Sequence, residues 1–176
     1  MFGDVSGGRA SVSTSGSASM NAIRKRWASG VAVVTVVDAD GGFRGVTATS
    51  FVVVSVNPPI VALALSSDGS FHRLFDTGTP FGVSLLDRSH TFLADRFGGR
   101  APIPDTGFSG VPHVVHGSGV PVIRDAIGWC ACLVTSQVPV GDHVLMLAEL
   151  QDGGVIADTD DPLLTYGGRY RALEVG

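Results

Sequence analysis

A series of valine-rich runs separated by turn-forming residues constrains the fold of this chain more than any other feature. Residues 31–37 are dominated by β-branched side chains, and residues 60–65 are apolar at every position. β-Branched residues favour strands, and a run without polar positions predicts a strand that is buried on both faces. The sequence Asn57-Pro58-Pro59 lies just before the second run and predicts that the preceding strand ends there.

The rest of the chain continues this pattern, with short helical segments between the strands. We predict further strands over residues 43–56, 81–86, 126–138, 143–152 and near 166–173, helices over 21–30, 70–76 and 88–97, and an irregular excursion over 98–121. Asn21 is the expected cap of the first helix and Gly30 its expected end. Mostly strands with a few outlying helices predict a mainly β protein with peripheral helices, built as a closed or half-closed barrel.

The length of 176 residues fits one domain. Residues 1–19 are mainly Gly, Ser, Ala and Thr, which cannot bury enough apolar surface to offset the entropy lost on ordering. We therefore predict a disordered tail over residues 1–19 and a single folded domain over residues 20–176. Apolar residues make up 44% of the chain, which favours strands buried on both faces or a large subunit interface.

Charge and cysteine usage exclude several classes of protein. The formal net charge of −4 disfavours nucleic acid and anionic membranes as partners. No window approaches the roughly 20 apolar residues of a spanning helix, and the N-terminus lacks a signal-like pattern, so we expect a cytoplasmic protein. Cys130 and Cys132 are expected to be ordinary buried thiols. The 5 histidines are scattered without carboxylates at ligand spacing, so we expect no metal site.

Hydroxyl side chains interrupt two of the apolar strands. Thr47, Thr49 and Ser50 lie at one predicted strand end, and Ser66, Ser67 and Ser70 follow another. Small hydroxyls and free backbone N–H groups near a helix N-terminus are suited to a phosphate group. Turn and cap chemistry is the ordinary alternative for serines in such places, and no Walker or Rossmann glycine pattern is present.

Two further sets of residues could contact a ligand. His143, beside Asp142, opens an apolar strand and could donate a hydrogen bond or a proton, or could simply sit in a hairpin turn. Arg96 and Arg100 flank a pair of glycines at a helix end and could hold a phosphate. Since no nucleophile, carboxylate pair or metal site stands out, a bound cofactor is the natural carrier of any reaction.

Six short motifs, taken in order, are similar to those of one known family. They are Trp27-Ala28-Ser29-Gly30-Val31-Ala32-Val33-Val34-Thr35, Gly45-Val46-Thr47-Ala48-Thr49-Ser50-Phe51, Ser55-Val56-Asn57-Pro58-Pro59, Arg96-Phe97-Gly98-Gly99, Gly141-Asp142-His143 and Gly168-Arg169-Tyr170. Across about residues 20–173 the chain resembles the flavin reductase-like, FMN-binding split-barrel family. These proteins are the reductase components of two-component flavin monooxygenases.

The resemblance implies a set of site residues. Those on the flavin are Gly45, Val46, Thr47, Thr49, Ser50, Leu65, Ser66, Ser67, Ser70, Arg96 and Phe97. Those on the nicotinamide side are His143, Thr165 and Tyr166. Residues 45–47 would lie along the isoalloxazine ring, Thr49 and Ser50 would reach the ribityl chain or the ring, residues 65–67 would pass beside the flavin, and Ser70 with Arg96 would hold the phosphate. Gly167 and Ser84 stand where relatives often carry arginine and asparagine.

The resemblance also implies an activity and partners. Such proteins transfer hydride from NADH or NADPH to FMN or FAD, form homodimers with the flavin at the subunit interface, and supply reduced flavin to a monooxygenase. The protein holds the two rings in contact and excludes water, with no side chain doing covalent chemistry. Two alternatives stay open: a flavin-binding or electron-transfer protein without nicotinamide turnover, and a split-barrel oxidoreductase with another donor or with deazaflavin.

Overall fold

Strands dominate the part of the chain that the structure, a computed structural model, describes: residues 16–101, 107–155 and 161–173. In chain order its elements are α1 Gly16–Arg26, β1 Ser29–Gly30, β2 Ala32–Val37, β3 Phe43–Ala48, β4 Val52–Val56, β5 Pro59–Ser66, a 3-10 helix Phe71–Leu74, β6 Pro80–Leu85, a 3-10 helix Arg88–His90, α2 Thr91–Phe97, β7 His113–Val115, β8 Pro121–Ile123, β9 Gly128–Val140, β10 His143–Val155, β11 Leu164–Tyr166 and β12 Arg169–Arg171.

Seven antiparallel strands form the main sheet, in the order β3-β2-β6-β9-β10-β5-β4. The two apolar runs are β2 and β5, and neither lies at an edge. Residues 32–36 of β2 are all buried, which explains why that strand alternates so little between apolar and polar side chains. As predicted, the proline pair ends a strand: β4 stops at Val56 and β5 begins at Pro59.

The sheet is curled so that its two edges meet. β3 and β4 are the edge strands, yet only residues 49–51 separate them along the chain. A link of this length spans about 14 Å at most, so the edges must lie close together and the sheet forms a barrel. We call residues 49–51 the seam. The prediction of one continuous strand over residues 43–56 is wrong because the chain crosses from one edge to the other here.

Two apolar clusters hold the structure together. The first fills the barrel interior, with Val34, Leu63, Phe81 and Met146 each at most 1% exposed. The second lies between β2, α2 and the segment that precedes β8, and it includes the rings of Phe97 and Phe108, whose centroids are 5.1 Å apart. Burial of these side chains contributes about 25 cal/mol per Å² of apolar surface, so the two clusters are the main source of stability.

The peripheral segments differ most from the predictions. α1 begins at Gly16, five residues before the predicted cap Asn21, and residues 16–19 are helical although disorder was expected there. Residues 1–15, the rest of the predicted tail, lie outside the described residues. The helices predicted over residues 70–76 and 88–97 are a 3-10 turn and a 3-10 turn leading into α2. The predicted excursion contains β7, which forms a hairpin with β8, a strand that begins at the last residue of the excursion.

A small second sheet completes the architecture, in the order β1-β11-β12. It contains most of the last predicted strand, folded as a hairpin around Gly167 and Gly168. Both glycines have positive φ, 66° and 75°, which matches a two-residue type I′ turn. None of the helices over residues 16–101, 107–155 and 161–173 has the length and apolar character needed to cross a membrane.

Candidate functional site

A cavity of about 850 Å³ opens where the seam meets the second sheet. It lies within the usual size range of small-molecule sites, about 300–1,000 Å³. Its described lining residues are Arg24, Lys25, Trp27, Ser29, Val46, Thr47, Ala48, Thr49, Ser50, Phe51, Val52, Ala64, Leu65, Ser66, Arg100, His143, Thr165, Tyr166, Gly167 and Gly168. Nine of the predicted site residues are therefore brought together: Val46, Thr47, Thr49, Ser50, Leu65, Ser66, His143, Thr165 and Tyr166.

The seam supplies the hydroxyl edge of the cavity. Residues 49–51 have no partner residue in the sheet register, because they lie between the two edge strands. Ser50 Oγ donates a 2.7 Å hydrogen bond to the carbonyl oxygen of Ala64 and accepts one of 3.3 Å from its N–H. Ser50 therefore fixes the seam against β5, while Thr49 is exposed at the cavity.

The inner wall is formed by the end of β3, packed on α2. Thr47 Oγ1 donates a 2.7 Å hydrogen bond to the carbonyl oxygen of Ala94, one of the last helical carbonyls. Gly45 and Phe97, both predicted site residues, do not line the cavity. A Cβ at Gly45 would lie 2.8 Å from the Phe97 ring, so Gly45 is required for the close packing of β3 on the second cluster.

Of the two arginines that flank the glycine pair, Arg100 lines the cavity and the predicted Arg96 does not. The Arg96 guanidinium donates 3.0 Å hydrogen bonds to the carbonyl oxygens of Gly107 and Ser109, which connects α2 to the chain that precedes β7. Arg100 lies in the turn after α2, where its backbone N–H donates to the Asp95 carbonyl oxygen at 2.9 Å. A phosphate role therefore fits Arg100 better than Arg96.

Of the three predicted serines at or after the end of β5, one lines the cavity and two do not. Ser66 lines the cavity, whereas Ser67 Oγ donates to the Asp142 carbonyl oxygen at 2.8 Å and joins two loops. Ser70 precedes the 3-10 turn without any side-chain cap hydrogen bond, and it is absent from the cavity lining. Neither Ser70 nor Arg96, the predicted phosphate residues, lines this cavity.

His143 stands at the cavity rim, opposite Ser66 in the register of β10 and β5. Its Nδ1 lies 2.7 Å from Oδ1 of Asp142. The pKa of Asp142 is lowered from its usual range, chiefly by this hydrogen bond, then by the charge of the imidazole and, more distantly, of Arg24. Because Nδ1 pairs with Asp142, Nε2 is the ring nitrogen that could contact a ligand.

The opposite rim is built by α1 and the second sheet. Thr165 pairs with Ser29, and the N–H of Gly167 donates to the Lys25 carbonyl oxygen at 2.8 Å. Arg26 Nη1 donates a long hydrogen bond of 3.4 Å to Tyr166 Oη. Gly167 has a positive φ, which glycine adopts readily, so the turn itself explains why glycine occurs at this position.

The charge of the lining is one-sided. Arg24, Lys25 and Arg100 contribute three cations, and no carboxylate is found among the described lining residues. The described residues also contain no group of three or more His, Cys, Asp or Glu that could hold a metal ion. Apolar surfaces of Trp27, Phe51 and Leu65 complete the cavity. These groups suit a ligand with a flat apolar body, polar edges and an anionic end.

Sequence reasoning missed the contribution of α1. Arg24 and Lys25 lie in its last turn, where basic residues are usually explained by the helix dipole. Trp27 follows the helix; it begins the first of the six motifs but was not predicted as a site residue. The signal that could have found these residues is the run Arg24-Lys25-Arg26-Trp27, in which cations directly precede an aromatic ring.

A barrel with a cavity at its seam, suited to an aromatic ligand with an anionic end, is typical of cofactor-binding proteins. The chain belongs to the family described as flavin reductase like domain, whose model matches residues 24–174. The match spans the whole barrel and the second sheet, including every described residue that lines the cavity.

Relatives and solved structures agree with this assignment. The NADH-dependent flavin reductase StyB of Pseudomonas fluorescens is 37% identical over 145 residues, 82% of each chain. The styrene monooxygenase flavin reductase of Pseudomonas putida S12 superposes with a TM-score of 0.77 at 31% identity, covering 89% of this chain and 99% of the other. The NADH:FAD oxidoreductase SgcE6 of Streptomyces globisporus C-1027, in complex with NAD and FAD fragments, gives 0.82 at 27% identity, covering 94% and 98%.

These findings confirm the predicted family, the mainly β split-barrel fold and the predicted enzyme class, a flavin reductase. The predicted pairing of a flavin with a nicotinamide nucleotide agrees with the names of the relatives.

Proposed function

We propose that this protein uses NADH or NADPH to reduce FMN or FAD and supplies the reduced flavin to a partner monooxygenase. The observation that carries the proposal is the cavity at the seam, with its cations, hydroxyls and apolar walls and no described carboxylate. The names of the relatives, which include a styrene monooxygenase flavin reductase, support the same activity. A cytoplasmic location fits the two free cysteines among the described residues.

The residues present fit a flavin. When bound, a flavin supplies the hydride-accepting ring. Backbone groups of the β3 end and the seam would meet the polar edge of the ring, with Thr49 beside the ribityl chain. Leu65 and Phe51 would exclude water from its apolar part, and the cations would hold the phosphate. Positioning of two reactants can contribute about 7–11 kcal/mol to lowering a barrier, so no catalytic side chain is required.

His143, Thr165 and Tyr166 are proposed to form the nicotinamide side. Their support is position: His143 stands on one rim of the cavity and the Thr165-Tyr166 strand on the other, with the seam between them. A planar ring entering between these rims would lie against a flavin on the β3 wall. Because Nδ1–H donates to Asp142, Nε2 of the neutral imidazole would accept a hydrogen bond from the carboxamide N–H of the nucleotide.

The proposal is tested by anaerobic titration of the purified protein and FMN with NADH, and separately with NADPH. Bleaching of the visible band of oxidised flavin, at a rate well above that of FMN with nucleotide alone, is the expected result. A band that stays unchanged with both nucleotides would leave a flavin-binding protein and contradict the reductase. Bleaching that requires a different donor would favour the alternative of a split-barrel oxidoreductase.

We also propose that two copies associate through α1 and β4. Met20 and Ile23 of α1, and Trp27 just after it, are exposed, and α1 buries no residue within its own chain. Four valines of β4, an edge strand, are each more than half exposed. Exposed apolar groups of this extent mark an interface, and the unpaired edge of β4 adds backbone donors and acceptors.

The dimer is tested by sedimentation of the wild type and two matched variants. Val53→Glu places a charge on β4 and is expected to give a monomer. Val114→Glu places the same charge on β7, also at an exposed valine, and should leave the association unchanged. A monomeric wild type, or a Val53→Glu protein that remains dimeric, would contradict the proposed interface.

A further inference from the structure

The turn after α2 places the cation Arg100 at the cavity, and contacts within the fold hold it more firmly than the other lining cations. We infer that Arg100 makes this cavity select phosphorylated flavins over riboflavin, and that Tyr170 is the residue that positions it. The inference rests on the proposed function, since it concerns the same flavin site. It assigns the anionic end of the ligand to the β3 side of the cavity.

Arg100 is placed there by the backbone. Its N–H and that of Ala101 both donate to the carbonyl oxygen of Asp95, at 2.9 and 3.2 Å. Gly99, with a φ of 68°, reverses the chain just before it. A Cβ at Gly98 would lie 2.7 Å from the Ala94 carbonyl oxygen, so the turn can follow α2 this closely only with glycine there. The turn thus begins beside Thr47 of the inner wall, whose Cβ would lie 3.6 Å from a Cβ at Gly98.

Tyr170 of β12 then fixes the side chain. The Arg100 Cζ lies 5.6 Å from the centroid of the Tyr170 ring, within the range of a cation–π contact. Tyr170 Oη donates a 3.0 Å hydrogen bond to Oδ1 of Asp95, which holds the ring against α2. Asp95, Arg100 and Tyr170 therefore form one unit that joins α2, its following turn and the second sheet.

The other cations are less suited to this role. Arg96 donates to two carbonyl oxygens, at Gly107 and Ser109, and does not line the cavity. Arg24 and Lys25 line it, but they lie on α1, which buries none of its residues. A cation already held in place loses less side-chain entropy when an anion binds, so Arg100 is expected to contribute most to phosphate affinity.

The test compares the affinities of the whole protein for FMN and for riboflavin, which differ only in the phosphate. Quenching of flavin fluorescence gives both dissociation constants. Arg100→Gln is expected to weaken FMN binding about tenfold or more, as for loss of a charge-assisted hydrogen bond, and to leave riboflavin binding nearly unchanged. Arg100→Lys should recover part of the FMN affinity. Arg73→Gln removes an exposed charge on the 3-10 turn, outside the cavity, and should change neither constant.

The positioning role of Tyr170 is tested by the ratio of the dissociation constants for riboflavin and FMN. Tyr170→Leu removes the stacking ring and should lower the preference for FMN over riboflavin, whereas Tyr170→Phe keeps the ring and should retain more of it. A purely structural role would weaken both flavins alike, which would overturn the positioning role. An Arg100→Gln protein with unchanged preference for FMN would overturn the inference while leaving the flavin site intact. A wild type that binds neither flavin would instead contradict the proposed function itself.

Discussion

The hydroxyl of Thr47 donates its hydrogen bond to the carbonyl oxygen of Ala94, 2.7 Å away, so a single side chain connects the cavity wall to the buried end of α2. Ala94 is fully buried, and its carbonyl belongs to the last turn of a seven-residue helix. Position 47 therefore carries two separable functions: its hydroxyl stabilises the packing of α2 on β3, and its small size leaves room for a ligand.

Two substitutions separate these functions. Thr47→Val has nearly the same shape and removes only the hydrogen bond, so it should lower the free energy of unfolding by about 1 kcal/mol and keep flavin affinity. Thr47→Leu adds bulk to the cavity wall and should abolish flavin binding. Thermal denaturation and fluorescence titration measure the two effects. A folded Thr47→Leu protein that binds FMN normally would show that the ring does not lie against β3.

His143→Ala should raise the Michaelis constant for NADH or NADPH with little change in flavin affinity. The reason is that the imidazole stands at the cavity rim, where the proposed nucleotide enters. Asp142→Asn is the matched control, because an asparagine keeps a hydrogen-bonding side chain beside Nδ1 without the negative charge. It should give a smaller change than His143→Ala. An unchanged constant in the alanine variant would remove His143 from the site.

Gly45→Ala should destabilise the protein by about 1–3 kcal/mol, the usual range for overpacking a core. The new methyl group would lie 2.8 Å from the ring of Phe97 and 3.1 Å from that of Phe108, and both rings are buried. Gly117→Ala is the control, since its Cβ would meet nothing within 4 Å. Chemical denaturation of both variants gives the comparison. Equal stability would mean that the two rings move apart at no cost.

The ionisation of Tyr170 should limit stability at high pH. Burial, followed by the hydrogen bond to Asp95, raises the pKa of Tyr170 above its ordinary value. The unfolded chain has the ordinary pKa of about 10, so the stability associated with the neutral phenol is fully present below that pH and is lost as pH rises through the folded-state pKa.

The chain has 2 tyrosines, so Tyr166→Phe leaves Tyr170 as the only one, and its tyrosinate absorbance can be followed directly. We expect a pKa above the ordinary value, and a lower one when Asp95→Asn is added, because the negative charge that opposes ionisation is gone. Titration of Tyr170 at the ordinary pKa, with no effect of Asp95→Asn, would contradict the contact.

The elements that sequence patterns predicted well are those in which local chemistry and tertiary environment agree. β2 is buried and apolar except for Thr35, β5 is apolar from Pro59 to Leu65 and buried or half-buried there, and the proline pair ends β4 as expected. The break at the seam was missed because strand-forming residues lie on both sides of residues 49–51. Nothing local there indicates that the two halves belong to opposite edges of one sheet.

The site follows the same division. The hydroxyl strip at Thr47, Thr49 and Ser50 was predicted, and it does line the cavity. Sequence spacing could not show which of Arg96 and Arg100 lines the cavity, because both flank the same glycine pair. It depends on the carbonyls of Gly107 and Ser109, which the fold brings to Arg96 from another segment.

The position of α1 has a consequence for proteolysis. This helix buries nothing in its own chain, yet its last turn lines the cavity and its residues 24–26 are three consecutive trypsin sites. Trypsin cleaves only those molecules in which the last turn of α1 has opened and left the cavity. A ligand that contacts Arg24 or Lys25 lowers the fraction of such molecules. The rate of trypsin cleavage after residues 24–26 is thus a direct readout of cavity occupancy, for any flavin or nucleotide, without a chromophore or an enzymatic assay.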